Sequence, residues 1–339
     1  MIKKDYGQVS FYSHIYDAVI PKDHFLKRLQ EAVDMSYVNE ICESLYCAGN
    51  GRPAYEPVMM FKITFLEFLY NLSDRAVMEE LQVNLAYKWF AGLDVIEEVP
   101  DATSLTKFRN RLGAEKFKDL FNGIVKQARG KGLISDRLQI IDSTHIEARV
   151  DLFRLKDEYK INDDDNNYVD RNTPDRDARF GKKEGRKKTT FYGYKEHASI
   201  DADSELFTAV EASPGNKNDC LYLEPLISGK PDTLTADKAY DSNDNHRHLD
   251  GHKIRDAIIR KDSREYALTI NIAHGHEQRE RPKIERRFAD QKKNHGLRRC
   301  RYWGLWRTKI QCYMTAFVCN CKRIVELLKQ KGSPELAVT

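Results

Sequence analysis

Two aspartates each follow a short apolar run in the second half of the chain, and both runs predict buried strands. RLQIIDSTHIEARV contains Asp142, and DTLTADKAYDS contains Asp237. Ligands gather at the carboxyl ends of strands in open α/β sheets, and neighbouring strands lie about 4.8 Å apart. The two carboxylates are therefore expected to bind one metal ion or a pair. Oxygen ligands select Mg²⁺ or Mn²⁺, and such ions can activate a water or a 3′-hydroxyl for in-line phosphoryl transfer.

A third carboxylate, Glu285, lies in the basic stretch RPKIERRFADQKKNHGLRRCRYWG. At about 100° per residue, Arg281, Glu285 and Lys292 share one face of a helix. We predict that Asp142, Asp237 and Glu285 are both the metal ligands and the catalytic residues. The surrounding cations would hold the phosphodiester that the ions attack.

Each of these residues also has a purely structural interpretation. Asp142 would then be a turn residue at a strand end, and Asp237 would cap the segment KAYDS through a bond to backbone. Glu285 would form an intrahelical ion pair with Arg281. The three acids together, in this order and context, are more specific than any one of them alone.

Positive charge is concentrated near the end of the chain. The net charge of the whole protein is +4, but residues 279–309 hold twelve Lys and Arg against three Asp and Glu. Such a local excess indicates a polyanionic partner, because phosphate contacts release counterions. A solvated basic helix is the alternative.

The first 130 residues predict helices. An apolar helix is expected in EPVMMFKITFLEFLYNL, followed by a helix capped by Ser73 and ended by Gly92, and by another starting at Thr103 or Ser104. Short helices joined by tight turns fit a helix-turn-helix type of module, or else an ordinary helical bundle. In the first case the side chains facing DNA would be Lys107, Arg109 and Arg111.

From Ile134 the pattern changes to strands alternating with helices, including a hairpin that turns at Asp201 to Ser204. This order predicts a mixed α/β sheet with helices packed on it. We predict a helical domain for DNA binding and assembly over residues 1–130 and a catalytic domain over residues 131–330. The catalytic domain would contain a mobile charged insert at about 152–190, and a C-terminal tail would cover residues 331–339.

Bulk properties argue against membrane and secretory routes. The chain has no run of eighteen apolar residues, and its N-terminus lacks the apolar region of a signal peptide. Seven cysteines without a CxxC pair indicate free thiols. We therefore expect a cytoplasmic protein.

The segments IIDSTHIEA, LTADKAYDS and RPKIERRFADQKKNHGLRRCRYWG resemble those of the DDE transposases of bacterial insertion sequences, in the group typified by insertion sequences four and five. The signature of that group around its third carboxylate is Tyr, two residues, Arg, three residues, Glu, six residues, Lys. Arg281, Glu285 and Lys292 match it in identity and spacing, whereas Gln278 stands at the tyrosine position. The resemblance extends from about Gly51 to Leu328.

The resemblance implies a ribonuclease-H-like core, preceded by an all-α N-terminal domain, in which the three acids coordinate Mg²⁺, with Mn²⁺ able to replace it. It also implies double-stranded DNA as partner, both element ends and target, a homodimer on that DNA, and a bacterial, nucleoid-associated location. Enzymes of this kind cut at terminal inverted repeats and join the freed 3′ ends to target DNA. The predicted DNA-binding residues are Arg281, Arg286, Lys292, Lys293, Arg298 and Arg299.

Two other functions remain open from the sequence alone. One is a ribonuclease-H-fold nuclease without strand transfer. The other is a non-catalytic DNA-binding protein descended from a transposase.

Overall fold

The computed structural model describes residues 13–46, 54–151, 173–183, 189–263 and 265–332. Contacts divide the chain into two compact units. The first comprises Met1–Gln127 and Asn320–Thr339, and the second comprises Ala128–Cys319. These units are defined by packing alone. The functional domains predicted from the sequence, with limits at residues 130 and 330, therefore stay predictions.

Helices make up the regular structure before the sheet, as predicted. They are α1 Ser13–Val19, α2 Phe25–Ala32, α3 Tyr37–Cys42, α4 Pro57–Leu69, α5 Asp74–Val83, α6 Leu85–Ala91 and α7 Ala102–Gly130. The apolar helix α4 is buried on nearly every side and packs against α3 and α6. Its Phe65 ring lies 5.6 Å from the ring of Phe90. This helix therefore forms the centre of the first unit.

Local signals set most of these helix ends. The Ser73 hydroxyl accepts a hydrogen bond from the Ala76 N–H, and Gly92 ends α6 with a φ of 80°, both as predicted. The start of α7 differs from the prediction, because Asp101 caps it by accepting from the Thr103 N–H at 2.8 Å. Asp is as good an N-cap as Ser or Thr, and it stands one position before the helix.

The long helix α7 is interrupted at Gly113, whose φ of 64° and ψ of 178° are non-helical. This region of φ and ψ is accessible almost only to glycine, so the residue type permits the break. An apolar stripe of the helix continues on both sides of it. Its members are all buried: Leu105, Phe108, Leu112, Phe117, Leu120 and Ile124.

Arg109 does not face solvent, which corrects its assignment as a phosphate-facing residue. It is 5% exposed, and its guanidinium forms ion pairs with Glu67, at 3.0 Å, and with Asp74. A buried cation needs a partner, and Arg109 has two carboxylates. Lys107 and Arg111 are exposed, and the Arg111 guanidinium lies over the Tyr46 ring.

The second unit is built on one mixed sheet. Its strands are β1 Leu138–Glu147, β2 Arg179–Lys183, β3 Thr189–Asp201, β4 Phe207–Pro214, β5 Thr233–Ala236 and β6 Arg255–Asp256. β3 pairs antiparallel with β1 and β4, whereas β5 pairs parallel with β1 and β6. The order β4-β3-β1-β5-β6 confirms the predicted ribonuclease-H-like core.

One strand was not predicted. β2 pairs with the beginning of β3, along the same edge that β4 occupies further on. Its Phe180 is buried, with its ring 5.0 Å from that of Tyr192. Residues 179–183 were predicted as part of the mobile charged insert, but they belong to the sheet. Their pairing partner β3 cannot be recognised from the short charged sequence itself. Residues 152–172 and 184–188 of the predicted insert lie outside the described residues.

The remaining elements of the second unit are mostly helical. They are α8 Asn243–Gly251, α9 Ala267–Ala273, α10 Gly275–Arg279, α11 Pro282–Asn294 and α12 Leu305–Gln330, the last of which belongs to this unit only as far as Cys319. The segment LYLEPLISG forms parts of two short 3-10 turns, Asp219–Tyr222 and Glu224–Leu226, because Pro225 disrupts a regular helix. IRDAIIR contributes only the two residues of β6.

The two faces of the sheet pack against different elements. On one face α11 packs against β1 through the buried side chains of Ile284 and Phe288. On the other face Ile141 belongs to an apolar cluster whose other members are Leu223, Leu226, Leu234, Ala236, Tyr240, Leu249, Ile254 and Ile258. Because side chains alternate along a strand, Asp142 points to the α11 face and Ser143 to the opposite one.

The hairpin between β3 and β4 turns at the predicted residues. Asp201 is buried, and its carboxylate accepts bonds from the Ser204 N–H and hydroxyl and from the Ser135 hydroxyl. Nearby, Asp203 forms an exposed ion pair with Arg137, which precedes β1. These acids stabilise the end of the sheet opposite to Asp142.

None of the helices in the described ranges is long and apolar enough to cross a membrane. Six cysteines fall within those ranges, and all six are free thiols, as predicted.

Candidate active site

Asp142 and Asp237 lie side by side at one edge of the sheet. The parallel pairing of β1 with β5 ends with Ile141 opposite Ala236, and each aspartate is the next residue along its strand. The Ser143 N–H donates to Asp142 Oδ1 at 2.8 Å, and the Lys238 N–H donates to Asp237 Oδ1 at 2.6 Å. Asp237 therefore ends its strand as predicted, whereas β1 continues beyond Asp142 to Glu147.

Arg281 joins the two aspartates. Its Nη2 donates to Asp142 Oδ2 at 3.2 Å, and its Nη1 lies 3.7 Å from Asp237 Oδ1. Arg281 precedes α11, in which Pro282 is the first residue. One guanidinium thus neutralises part of the charge of both carboxylates, and this contact proves that the two acids converge.

The environment of Asp142 opposes its ionisation. Its side chain is 17% exposed, and burial raises the pKa of its carboxyl to about 6. The positive charge of Arg281 and the Ser143 N–H act in the other direction, whereas the negative charge of Asp237 raises the pKa further. The net effect is a raised pKa even with Arg281 beside the carboxyl.

Several contacts position α11 over this edge. Apart from its apolar anchors Ile284 and Phe288, the helix presents Gln291, whose amide donates to Glu196 Oε1 at 3.0 Å and to Thr315. Glu196 lies on β3 and is completely buried, and burial raises its pKa to about 8. These contacts fix the register of α11 along the sheet.

Glu285 lies in the first turn of α11, one turn after Arg281, and it is exposed. Within the described residues, its carboxylate and those of Asp142 and Asp237 do not all lie within 4.8 Å of one another. The structure thus brings two of the three predicted acids together and places the third on the adjoining helix. Its role as a ligand remains a prediction.

A different set of metal-binding residue types does meet that distance. It consists of Asp290, His295 and Cys319, in the part of the chain that the structure describes. The Cys319 thiol donates to Asp290, and the Asn294 amide donates to the same carboxylate. Hydrogen bonds within the group account for its closeness.

The other predicted DNA-binding residues have different surroundings. Arg286, Lys293, Arg298 and Arg299 are exposed, and Lys292 is half-buried. Arg286 pairs with Glu205 at 2.9 Å. Arg299 donates to the backbone carbonyls of Ala148 and Val150, so part of its bonding capacity supports the chain that follows β1.

Sequence reasoning missed a group of residues behind the two aspartates. The Ser143 hydroxyl donates to Asp219 Oδ2 at 2.8 Å, and Lys195 Nζ lies 2.7 Å from Asp219 Oδ1. Tyr240 is fully buried beside them, and burial, followed by the charges of Asp219, Asp142 and Asp237, raises the pKa of its phenol. The one available signal was the aspartate in NKNDC, at the start of a short turn.

The residues present fit a divalent metal ion. Asp142 and Asp237 offer hard oxygen ligands at a shared edge, and both already face one cation, Arg281. Such a donor set suits Mg²⁺ or Mn²⁺ and not the softer metals. Glu285 could complete it from the adjoining helix. This strand order, with one acid on β1 and the other directly after β5, defines a ribonuclease-H-like fold with an acidic site.

Comparison with known proteins gives the family. Residues 134–321 match the family described as Transposase DDE domain, and residues 14–111 match the one described as Transposase domain (DUF772). The chain belongs to the DDE transposase family, and it is an enzyme of the kind found in bacterial insertion sequences. This confirms the resemblance seen in the sequence.

A bacterial relative agrees with this assignment. The chain is 29% identical over 236 residues to the transposase for insertion sequence element IS1106 of Neisseria meningitidis serogroup B, covering 67% of this chain and 80% of that protein. A cryo-EM structure of a piggyBac transposase synaptic complex with hairpin DNA aligns with a TM-score of 0.43 and 10% identity, over 91% of this chain and 76% of that one.

Proposed function

We propose that this transposase binds the terminal inverted repeats of its insertion sequence, cleaves the element ends and transfers the 3′ strands to target DNA, with Mg²⁺ as cofactor and Mn²⁺ as a substitute. The observation that supports this most directly is the convergence of Asp142 and Asp237 on the Arg281 guanidinium. Two acids from neighbouring parallel strands, next to a basic helix, suit the charge of a phosphodiester and its counter-ions.

Each residue has a distinct role in this proposal. Asp142, Asp237 and Glu285 hold the divalent ions, which when bound supply Lewis-acid activation of the attacking and leaving oxygens. Arg281 and Lys292 bind the DNA backbone beside the scissile phosphate. Arg286, Lys293, Arg298 and Arg299 extend the same basic surface.

The partner and the place of action follow from the same proposal. The protein acts on double-stranded DNA in the bacterial cytoplasm, at the nucleoid, and two copies hold the paired ends. Each lysine or arginine that contacts a phosphate should contribute about 0.9 to the slope of log affinity against log salt concentration.

A cleavage assay on a labelled duplex that carries the element end tests the proposal. Asp142→Asn, Asp237→Asn and Glu285→Gln should each reduce cleavage at least about 100-fold while DNA affinity is kept, since removing a ligand abolishes transition-state stabilisation. Asp203→Asn is the matched control, because it removes an acid from the opposite end of the sheet. Wild-type cleavage by all three variants would refute the assigned roles.

A second assay separates transposition from simple hydrolysis. A duplex with a pre-cut 3′ end is incubated with a supercoiled target plasmid and Mg²⁺. Joined product is expected, and its absence with active cleavage would identify a nuclease. The flanking genomic DNA, searched for inverted repeats, supplies the substrate sequence.

A further inference from the structure

Asp219 is tied to the residue that follows Asp142. It lies 76 residues further along the chain, yet its Oδ2 accepts from the Ser143 hydroxyl at 2.8 Å. Its Oδ1 lies 2.7 Å from Lys195 Nζ, and its side chain is only 14% exposed. A carboxylate this buried is stable because both of its oxygens are engaged.

Ser143 connects Asp219 with Asp142. Its N–H donates to Asp142 Oδ1 and its hydroxyl donates to Asp219. Strand alternation places these two bonds on different sides of β1. Asp219 therefore holds the strand from the face opposite to the one on which Asp142 meets Arg281.

This support falls where β5 no longer pairs with β1. β1 continues to Glu147, but its pairing with β5 stops at Ile141. Beyond that point, the bond from Ser143 to Asp219 ties the end of β1 to the 3-10 turn Asp219–Tyr222. The catalytic end of β1 would otherwise be held through β3 alone among its pairing strands in the described residues.

The same turn also supports Asp237. It packs against the 3-10 turn Lys238–Tyr240, which follows Asp237 directly. The Asn245 amide bridges the two turns by donating to the carbonyls of Cys220 and Tyr240, at 3.0 and 2.8 Å. One short segment thus supports both strand ends that carry the acids.

We propose that Asp219, with Lys195 as its counter-ion and Ser143 as the connecting residue, is a positioning residue that holds the Asp142 carboxylate in its ligand geometry. The inference rests on the proposed function, since it assumes that Asp142 binds a divalent ion. Outer partners of metal ligands typically contribute about 10- to 100-fold to metal affinity.

Titration of the full-length protein with Mn²⁺, followed by electron paramagnetic resonance, tests the inference without an activity assay. Asp219→Ala and Ser143→Ala should each weaken Mn²⁺ binding by about 10-fold or more. The double variant should be no weaker than either single one, because both act through one bond. Asp219→Asn keeps an acceptor for the Ser143 hydroxyl and should recover part of the affinity.

Two reference variants make the outcomes distinguishable. Asp203→Asn should bind Mn²⁺ as the wild type does, and Asp142→Asn should lose the site. If Asp142→Asn abolishes binding while Asp219→Ala and Ser143→Ala stay within about twofold of wild type, the positioning role is wrong. A double variant whose loss of Mn²⁺ affinity equals the product of the two single losses would contradict the positioning role as well.

If Asp142→Asn binds Mn²⁺ normally, the proposed metal site itself is wrong. Thermal melts show which variants are folded. If Asp219→Ala is unfolded, Ser143→Ala and Asp219→Asn test the inference in its place.

Discussion

Arg281 Nη2 lies 3.2 Å from Asp142 Oδ2, so the protein itself already places a positive charge beside this predicted metal ligand. A divalent ion that binds Asp142 must compete with this charge. An opposite charge within a few ångströms shifts a carboxylate pKa by about one unit or more, which corresponds to about tenfold in affinity for a competing cation. Arg281→Gln should therefore bind Mn²⁺ about tenfold more tightly while it cleaves DNA ends more slowly.

Calorimetric titration with Mn²⁺ measures the first effect, and the cleavage assay measures the second. Lys283→Gln is the charge-matched control, because Lys283 lies in the first turn of α11 but donates to the carbonyl of Ala202. Unchanged or weaker Mn²⁺ binding by Arg281→Gln would contradict the competition.

Glu196 should make the stability of the protein depend on pH. The folded protein keeps this carboxyl protonated up to about pH 8, whereas the ordinary pKa is 4.5. The folded state thus binds more protons between these two values, and the free energy of unfolding falls as pH rises through them, by at most about 1.4 kcal/mol per pH unit. Glu196→Gln, which is neutral at every pH, should lack this loss.

Urea unfolding of the wild type and the variant at pH 5, 6.5 and 8 measures the difference. The stability of Glu196→Gln relative to the wild type should increase with pH. The exposed Glu326→Gln serves as a control and should run parallel to the wild type. Parallel curves for Glu196→Gln would show that Glu196 is ionised in the folded state.

Arg109 should contribute to stability rather than to DNA affinity. Arg109→Ala leaves Glu67, whose side chain is 1% exposed, without its cation, and breaking a buried pair costs about 3–5 kcal/mol. Lys107→Ala, at an exposed position on the same helix, should change stability by less than about 0.5 kcal/mol. Urea denaturation measures both. A small loss for Arg109→Ala would show that Glu67 and Asp74 are solvated or paired elsewhere.

Gly113 should tolerate no other residue without a cost. Gly113→Ala places a side chain at a φ of 64° and ψ of 178°, which costs about 1–3 kcal/mol, although no atom lies within 4 Å of the new Cβ. Gly130→Ala is the control, because its Cβ also meets nothing within 4 Å and its φ is not positive. Differential scanning calorimetry compares the two. Equal melting temperatures would mean that the break in α7 adapts to alanine.

The strand-end aspartates could be found from the sequence because the signal is local. An apolar run followed by an acid predicts both a buried strand and the place where it ends. The strand was predicted correctly in both cases, but its end only for Asp237, since β1 continues to Glu147. The helix that carries Glu285 was predictable from its spacing for the same reason. The distance of Glu285 from the two aspartates could not be predicted, since it depends on how α11 packs on β1.

Burial and long-range partners account for the errors. Arg109 falls four residues after Leu105 and three before Leu112, on the apolar stripe itself, so its burial could have been predicted. The identity of its partner could not have been predicted, because Glu67 lies 42 residues away in the sequence. Asp219 was missed because a 3-10 turn has no apolar periodicity and its partner Ser143 is 76 residues distant.

Lys195 and Glu196 are consecutive in β3 but serve opposite faces of the sheet, one beside Asp219 and the other beneath Gln291. A single-residue insertion upstream in this strand would move Lys195 into the packing under α11, and a single-residue deletion would move Glu196 against Asp219. Element copies with such indels should accumulate as inactive remnants.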